Sequence, residues 1–155
     1  MIIKNSLKRI VLTGATGAIG SHVTHYLTEK GYDVTALIRD RTRAGDIPSS
    51  VNISVGDVTK IDSLIEAFNN KDAVVHMAVA KSDENYSYDV NVVGAKNLIA
   101  ACHYRNISRI VNISTLSAKI TKKGPYGETK ALADEAFHSS GLDVITLRAS
   151  IIYGP

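Results

Sequence analysis

Two residues, Tyr126 and Lys130, have the types and the spacing of a proton-transfer pair. A free phenol has a pKa of about 10, so a tyrosine that exchanges protons near neutral pH needs help. Residues four positions apart lie on the same face of a helix, and the positive charge of a lysine favours the phenolate. Tyr126 is therefore a candidate acid/base residue, and Lys130 is its candidate activator.

The same spacing occurs at Tyr26 and Lys30, so the pattern alone does not identify a site. Tyr26 lies late on the first predicted helix, on its apolar stripe, where we expect a core tyrosine. Tyr126 opens the helix after the fifth predicted strand, whose end carries Ser114 and Thr115. Doubly wound sheets bind ligands at the carboxyl ends of their strands, which favours the second pair. The alternative is that Tyr126 packs against the preceding turn and that the hydroxyls cap the loop.

A glycine-rich turn follows the first predicted strand and leads directly into the first helix. Gly14 can take a tight turn, Gly17 lets backbone amides approach a pyrophosphate, and Gly20 lets the helix pack close to the strand. These glycines could also form a turn and nothing more, but their order and context favour a dinucleotide site. The candidate contacts in this turn are Gly14, Thr16, Gly17, Ala18, Ile19 and Gly20.

The residue at the end of the second predicted strand decides which dinucleotide is favoured. An acidic residue there would bind the ribose hydroxyls of NAD, whereas a cation suits the 2′-phosphate of NADP. Arg39 offers a planar fork of donors for a phosphate, and Arg41 or Arg43 could add charge. The alternative is a solvated Arg39 with Asp40 as the carboxylate for NAD. The sequence favours NADP.

Runs rich in Val and Ile alternate with segments of helical spacing, which predicts an α/β fold. The strands are expected at residues 10–12, 34–38, 51–55, 73–77, 110–113 and 144–147. Most are continuous apolar runs, as expected of strands buried on both faces. Helices are expected at residues 19–27, 61–68, 84–104 and 126–139. Right-handed crossovers then predict a doubly wound parallel sheet with strand order 3-2-1-4-5-6.

The order of these motifs resembles the extended branch of the short-chain dehydrogenase/reductase superfamily, the NAD(P)-dependent epimerases, dehydratases and reductases. The first similarity is the G-x-x-G-x-x-G spacing of TGATGAIG at residues 13–20. Further similar segments are GDV at 56–58, VHMAVA at 75–80, NVVG at 91–94 and RASIIYGP at 148–155, in which Ala149 replaces the usual proline. The segment IRD at 38–40 is similar to the Val-Arg-Asp of NADP-dependent, dihydroflavonol-type reductases.

The resemblance implies a Rossmann fold and an enzyme that moves a hydride between nicotinamide and a substrate carbon. Tyr126 would transfer the proton of the attached oxygen, and Lys130 would activate it and anchor the cofactor ribose. Thr115 would bind the substrate oxygen, with Ser114 and Ser117 as alternatives. Further implied cofactor contacts are Asp57, Val58, Ala78, Val79, Ala80, Asn91, Tyr126, Lys130 and Ser150.

The resemblance leaves the substrate open among small carbonyl compounds, alcohols and nucleotide sugars. The loop between Thr115 and Tyr126 is shorter than is common in this branch, so reductase, epimerase and dehydratase all stay open. A non-catalytic NAD(P)-binding or redox-sensing module is the alternative, against which the intact Tyr126–Lys130 pair argues. The resemblance also implies that residues 1–155 form one NAD(P)-binding domain without the substrate-binding region, and that helices 84–104 and 126–139 form a homodimer.

Composition excludes several classes of protein. With 155 residues, 45% hydrophobic and 21% charged, the chain has the make-up of one soluble domain. Cys102 is the single cysteine, which excludes an internal disulfide and fits a cytoplasmic protein. No stretch is apolar enough for a signal peptide or a membrane span. The 18 basic and 15 acidic residues are scattered, so no nucleic acid is expected, and no metal-binding motif is present.

Overall fold

The computed structural model describes residues 7–81 and 83–152. Over these ranges the strands are β1 (Arg9–Thr13), β2 (Asp33–Ile38), β3 (Asn52–Val55), β4 (Ala73–His76), β5 (Arg109–Thr115) and β6 (Asp143–Ala149). The α-helices are α1 (Ala18–Glu29), α2 (Ile61–Ala67), α3 (Glu84–Tyr88), α4 (Gly94–Tyr104) and α5 (Pro125–His138). All strands pair in parallel in the order β3-β2-β1-β4-β5-β6, which confirms the predicted Rossmann fold.

The central strands are buried because they present apolar side chains to both faces of the sheet. In β1, Val11 packs in one core with Leu98 of α4 and Phe137 of α5. Leu12 points the other way and packs in a second core, against which Val23 of α1 lies. Because β1 pairs in parallel with β2 and β4, the carboxyl ends of these three strands meet at the same edge of the sheet.

The predicted helix at 84–104 is continuous, but it is not a regular α-helix. It consists of α3, a π turn (Asp89–Val93) and α4. A π turn widens the helix locally and is often found at functional sites. Here it buries Asn91, which is 1% exposed, on the side that faces the loop after β4.

The edge strand β6 is covered by helices on one face only. Right-handed crossovers place α2, α4 and α5 on one face and α1 on the other, where it packs over β1 and β2. On the α1 side of β6, Ile145 and Leu147 are 58% and 52% exposed. The expectation of strands buried on both faces therefore fails for β6.

The prediction of a core tyrosine at position 26 is wrong, because Tyr26 is 58% exposed. Its neighbour His25 bonds the carbonyl of Asp46 beside the β3 end of the sheet. Successive residues of a helix point about 100° apart, so Tyr26 is turned away from the side of α1 that carries His25. The apolar stripe of α1 is therefore wider than the surface that it covers.

Two leucine-to-alanine substitutions test this asymmetry of burial. Leu98 is fully buried between α4 and the sheet, whereas Leu147 is 52% exposed. We expect Leu98→Ala to lower the free energy of unfolding by about 2–5 kcal/mol through the cavity that it leaves. Leu147→Ala should lower it by less than about 0.5 kcal/mol. Urea denaturation measures both; equal losses would show that the α1 face of β6 is covered in solution.

Candidate cofactor and active site

The glycine turn, residues 14–20, leaves no room for side chains between α1 and the end of β4. Gly14 has a φ of +75°, and a Cβ on it would lie 2.5 Å from the backbone nitrogen of Ala78. A Cβ on Gly20 would lie 2.0 Å from the carbonyl oxygen of Gly14. The first turn of α1 follows this contact directly, and the free amides of a helix N-terminus suit the pyrophosphate of a dinucleotide.

Thr13 ties the ends of β1 and β4 together beneath this turn. Its hydroxyl oxygen lies 2.7 Å from Nδ1 of His76 and accepts from the amides of Met77 and Ala78, each at 3.3 Å. Complete burial lowers the pKa of His76 to about 3, so its ring is neutral at pH 7. His76 also packs against the ring of Phe137.

A cavity of about 260 Å³ opens beside the glycine turn. We call it the strand-end cavity. Its lining includes the predicted cofactor residues Gly14, Thr16, Gly17, Arg39, Asp57, Val58, Ala78 and Val79. The other predicted cofactor residues do not line this cavity; they are Ala18, Ile19, Gly20, Ala80, Asn91, Tyr126, Lys130 and Ser150. Asp57 is fixed at its place because its carboxylate accepts from the amide and the hydroxyl of Thr59, at 2.9 and 3.0 Å.

The arginines after β2 separate into those that face the cavity and one that does not. Arg39 and Arg43 line it, whereas Arg41 is exposed outside that lining. The guanidinium of Arg39 donates to the hydroxyl of Tyr86, which also lines the cavity. Sequence reasoning missed Tyr86, because this contact joins residues 47 positions apart and only the fold brings them together.

Asp40, the alternative ligand for an NAD ribose, is engaged locally. Its carboxylate accepts from the amide of Thr42 at 2.9 Å and caps the short 3₁₀ turn Arg41–Arg43. This hydrogen bond holds the pKa of Asp40 below its ordinary value. The geometry at this strand end therefore directs Arg39, and not Asp40, to the cavity.

The three predicted catalytic residues lie where α5 begins to pack against the end of β5. Lys130 is 2% exposed, and its ammonium donates to the carbonyl of Ile113 at 3.0 Å. Burial lowers the pKa of Lys130 to about 8, although nearby Asp134 opposes this. Lys130 is therefore mostly protonated at pH 7.

Thr115 is the last residue of β5, and Tyr126 lies in the first turn of α5. The hydroxyl oxygen of Thr115 accepts from the amide of Ser117 at 3.2 Å, so Thr115 caps the loop, as the alternative to a catalytic role predicts. Its hydroxyl proton is still available for donation. Partial burial raises the pKa of Tyr126 above its ordinary value. This direction is opposite to the one expected from an activating lysine, so the phenol is protonated at neutral pH.

Asn91 connects the two halves of the site. Its side-chain amide exchanges two hydrogen bonds with the backbone of Ala80, both at 3.0 Å, and donates to the hydroxyl of Thr129 at 3.0 Å. Asn91 was predicted as a cofactor contact, and the structure places it in this buried bridge between the loop after β4 and α5. The bridge joins the loop after β4 to the first part of α5.

Lys81 is a second residue that sequence reasoning missed. Its ammonium lies 5.1 Å from the centroid of the Tyr126 ring, a cation–π arrangement. The available signal was its position just after β4, since ligand sites form at the carboxyl ends of strands.

Three further features concern metal ligands, the cysteine and membrane-spanning helices. Among residues 7–81 and 83–152, no group of three or more His, Cys, Asp or Glu side chains could hold a metal ion. Burial raises the pKa of the Cys102 thiol to about 12, so this cysteine is not a nucleophile at neutral pH. No helix in the described ranges has the length and apolar character to cross a membrane.

Known proteins resemble this chain in sequence. Residues 14–153 match a protein-family model described as NAD(P)H-binding. A 2-alkyl-3-oxoalkanoate reductase of Stenotrophomonas maltophilia is 31% identical over 95% of this chain and 52% of its own length. A UDP-N-acetylglucosamine 4,6-dehydratase (inverting) of Campylobacter jejuni is 29% identical over 84% of this chain and 42% of its own length. The chain spans about half the length of the curated relatives it matches.

Solved structures show the same fold. The enzyme WbmH of Bordetella bronchiseptica, in complex with NAD⁺, matches with a TM-score of 0.83 and 24% identity over 96% of this chain and 57% of that one. UDP-glucose 4-epimerase of Thermotoga maritima, with UDP-glucose, matches with a TM-score of 0.83 and 21% identity over 94% of this chain and 56% of that one.

A pair of glycine-to-alanine substitutions tests the close approach at the glycine turn. Gly14 and Gly141 have nearly the same φ, +75° and +74°, but a Cβ on Gly141 would meet nothing within 4 Å. We expect Gly141→Ala to cost about 1–2 kcal/mol of unfolding free energy from its backbone conformation alone. Gly14→Ala should cost about 1–3 kcal/mol more, because its Cβ collides with the end of β4. Chemical denaturation of both variants decides, and equal costs would contradict the close approach.

Proposed function

Because the chain belongs to the NAD(P)H-binding family, whose model matches residues 14–153, we propose that it binds NADP and reduces a small carbonyl compound. The comparisons also confirm the resemblance to the extended short-chain dehydrogenases/reductases. Reductases, epimerases and dehydratases are among the relatives of the chain. The observation that carries the proposal is that the glycine turn, Arg39 and Asp57 line one cavity at the strand ends. The candidate catalytic residues Thr115, Tyr126 and Lys130 lie at the end of β5 and on α5.

The residues around the strand-end cavity fit a dinucleotide. Gly14, Thr16 and Gly17 line this cavity just before α1 begins, so a pyrophosphate in it would lie near the free backbone amides of a helix N-terminus. Asp57 at the end of β3 is placed to accept from the adenine amino group or the ribose. When bound, the nicotinamide ring would supply the hydride that the substrate carbon takes up.

Arg39 supports NADP over NAD. It lines the cavity, and in the described ranges its guanidinium forms no ion pair with a carboxylate. A 2′-phosphate would therefore meet an uncompensated planar donor group, with Arg43 beside it. Tyr86 holds the guanidinium at the cavity wall.

The protonation states favour reduction at neutral pH. Tyr126 keeps its proton because partial burial raises its pKa, so it can donate that proton to the oxygen of a carbonyl substrate. The hydroxyl of Thr115 donates to the same oxygen and polarises the carbonyl. Lys130 has used one of its three donors on Ile113, and in this proposal another binds the cofactor ribose.

Replacing the phenol tests the chemical step. We expect Tyr126→Phe to lower the rate of NADPH oxidation with a panel of ketones by about 10²–10⁴-fold, because the proton donor is lost. NADPH binding, measured by thermal shift, should be unchanged. Turnover that survives this substitution would exclude the mechanism; cofactor binding by the native chain without turnover of any compound would indicate the non-catalytic module.

Replacing the arginine tests the choice of cofactor. We expect Arg39→Ala to weaken NADP binding by about 10–100-fold, the loss of one or two charge-assisted hydrogen bonds, and to leave NAD binding nearly unchanged. Arg41→Ala is the matched control, because Arg41 is exposed outside the cavity lining. Isothermal titration of the native chain and the two variants with both cofactors gives six dissociation constants. Tighter binding of NAD than of NADP by the native chain would contradict the assignment.

A further inference from the structure

The hydrogen bond between Arg39 and Tyr86 joins two separate elements at the wall of the strand-end cavity. Arg39 directly follows β2, Tyr86 lies on α3, and both residues line the cavity. The guanidinium donates to the Tyr86 hydroxyl through Nη1. The side chain of Tyr86 therefore acts on the same guanidinium that the proposed 2′-phosphate would meet.

The backbone of Tyr86 is held in place by the way in which α3 begins. Its amide donates to the carboxylate of Asp83, the N-cap of this helix, at 2.9 Å. The next residue, Ser87, is 2% exposed, and Val90 is 7% exposed and also lines the cavity. Tyr86 is thus fixed between a capped helix start and two buried residues, which makes it a firm support for a mobile side chain.

The contact with Tyr86 leaves the phosphate-binding edge of Arg39 free. A guanidinium has five N–H donors, and this contact engages Nη1. The edge formed by Nε and Nη2 keeps the two parallel donors that match two oxygens of a phosphate. The Tyr86 hydroxyl accepts from Arg39 and still has its own proton to donate.

A neutral partner orients the guanidinium without cancelling its charge. Within residues 7–81 and 83–152, Arg39 forms no ion pair with a carboxylate. Asp57 is the acidic residue of the described cavity lining, and its carboxylate accepts from Thr59. Glu84, in the first turn of α3, is exposed outside that lining. A hydroxyl at this place therefore leaves the positive charge of Arg39 available to an anionic ligand.

Holding Arg39 in advance lowers the entropic cost of binding. Arg39 is exposed, and an exposed arginine samples many rotamers, which it loses when it binds a phosphate. A side chain that is already restrained loses less on binding.

We propose that Tyr86 is a positioning residue that sets the preference for NADP over NAD by holding Arg39 ready for the 2′-phosphate. This inference rests on the proposed binding of NADP. NAD has a hydroxyl where NADP has the phosphate, so the state of Arg39 matters little to its binding.

Removal of the hydroxyl alone tests the inference. We expect Tyr86→Phe to weaken NADP⁺ binding to the full chain by about 3–10-fold, the scale of one side chain that must be immobilised. Binding of NAD⁺ should change by less than about 2-fold, because no phosphate meets Arg39. Tyr88→Phe is the matched control, since Tyr88 is an exposed tyrosine of the same helix outside the cavity lining. Calorimetric titration with both cofactors measures each constant.

A double-variant cycle separates positioning from support of the fold. In the Arg39→Ala background, Tyr86→Phe should have no further effect on NADP⁺ binding, because Tyr86 acts through Arg39. A residue that only stabilises α3 would weaken both cofactors and would do so in both backgrounds.

Several results would overturn the inference. They are unchanged or tighter NADP⁺ binding by Tyr86→Phe, equal weakening of both cofactors, and weakening that persists without Arg39. If Arg39→Ala removes the preference for NADP⁺ and Tyr86→Phe does not, the role of Tyr86 fails while the proposed NADP binding stands. A native chain that binds NAD⁺ more tightly, or binds neither cofactor, would overturn both.

Discussion

The arrangement of this site depends on one close contact, between the backbone of Gly14 and the end of β4. A Cβ on Gly14 would lie 2.5 Å from the amide nitrogen of Ala78, so only a glycine can hold the turn in this place. The hydroxyl of Thr13 closes the contact from below, since it bonds His76 and the two amides that follow it. The amino end of α1 and the carboxyl end of β4 therefore face the same cavity with fixed geometry.

Buried polar groups connect this contact to the candidate catalytic residues. Burial of a lysine is costly unless it is compensated, and Lys130 finds a carbonyl at Ile113 and a negative charge at Asp134. Asp134 is itself held by Asn112 at 3.0 Å and by Arg148 at 2.9 Å. This network fixes the inner face of α5 on β5 and β6. It also keeps Lys130 charged at neutral pH, because Asp134 limits the fall in its pKa.

The parts of the molecule that local sequence determines could be predicted, and the parts that depend on distant contacts could not. The strand order and the glycine turn follow from apolar runs and from residues adjacent in sequence. Tyr86 beside Arg39 and Lys81 beside Tyr126 meet only in the folded chain, so no spacing rule identifies them. The exposure of Tyr26 depends on which face of the sheet the helices leave uncovered, a feature that an apolar stripe does not reveal.

The environment of Tyr126 favours proton donation by the phenol over proton abstraction. A phenol that abstracts a proton must first ionise, and partial burial opposes this, whereas a phenol that donates a proton is already in the required state. The ammonium of Lys130 is engaged with the carbonyl of Ile113, and that of Lys81 lies against the ring rather than in a hydrogen bond with another side chain of the described chain. As the pH rises through about 8, Lys130 loses its charge before the phenol loses its proton. The phenol therefore keeps its proton throughout the range in which Lys130 is charged.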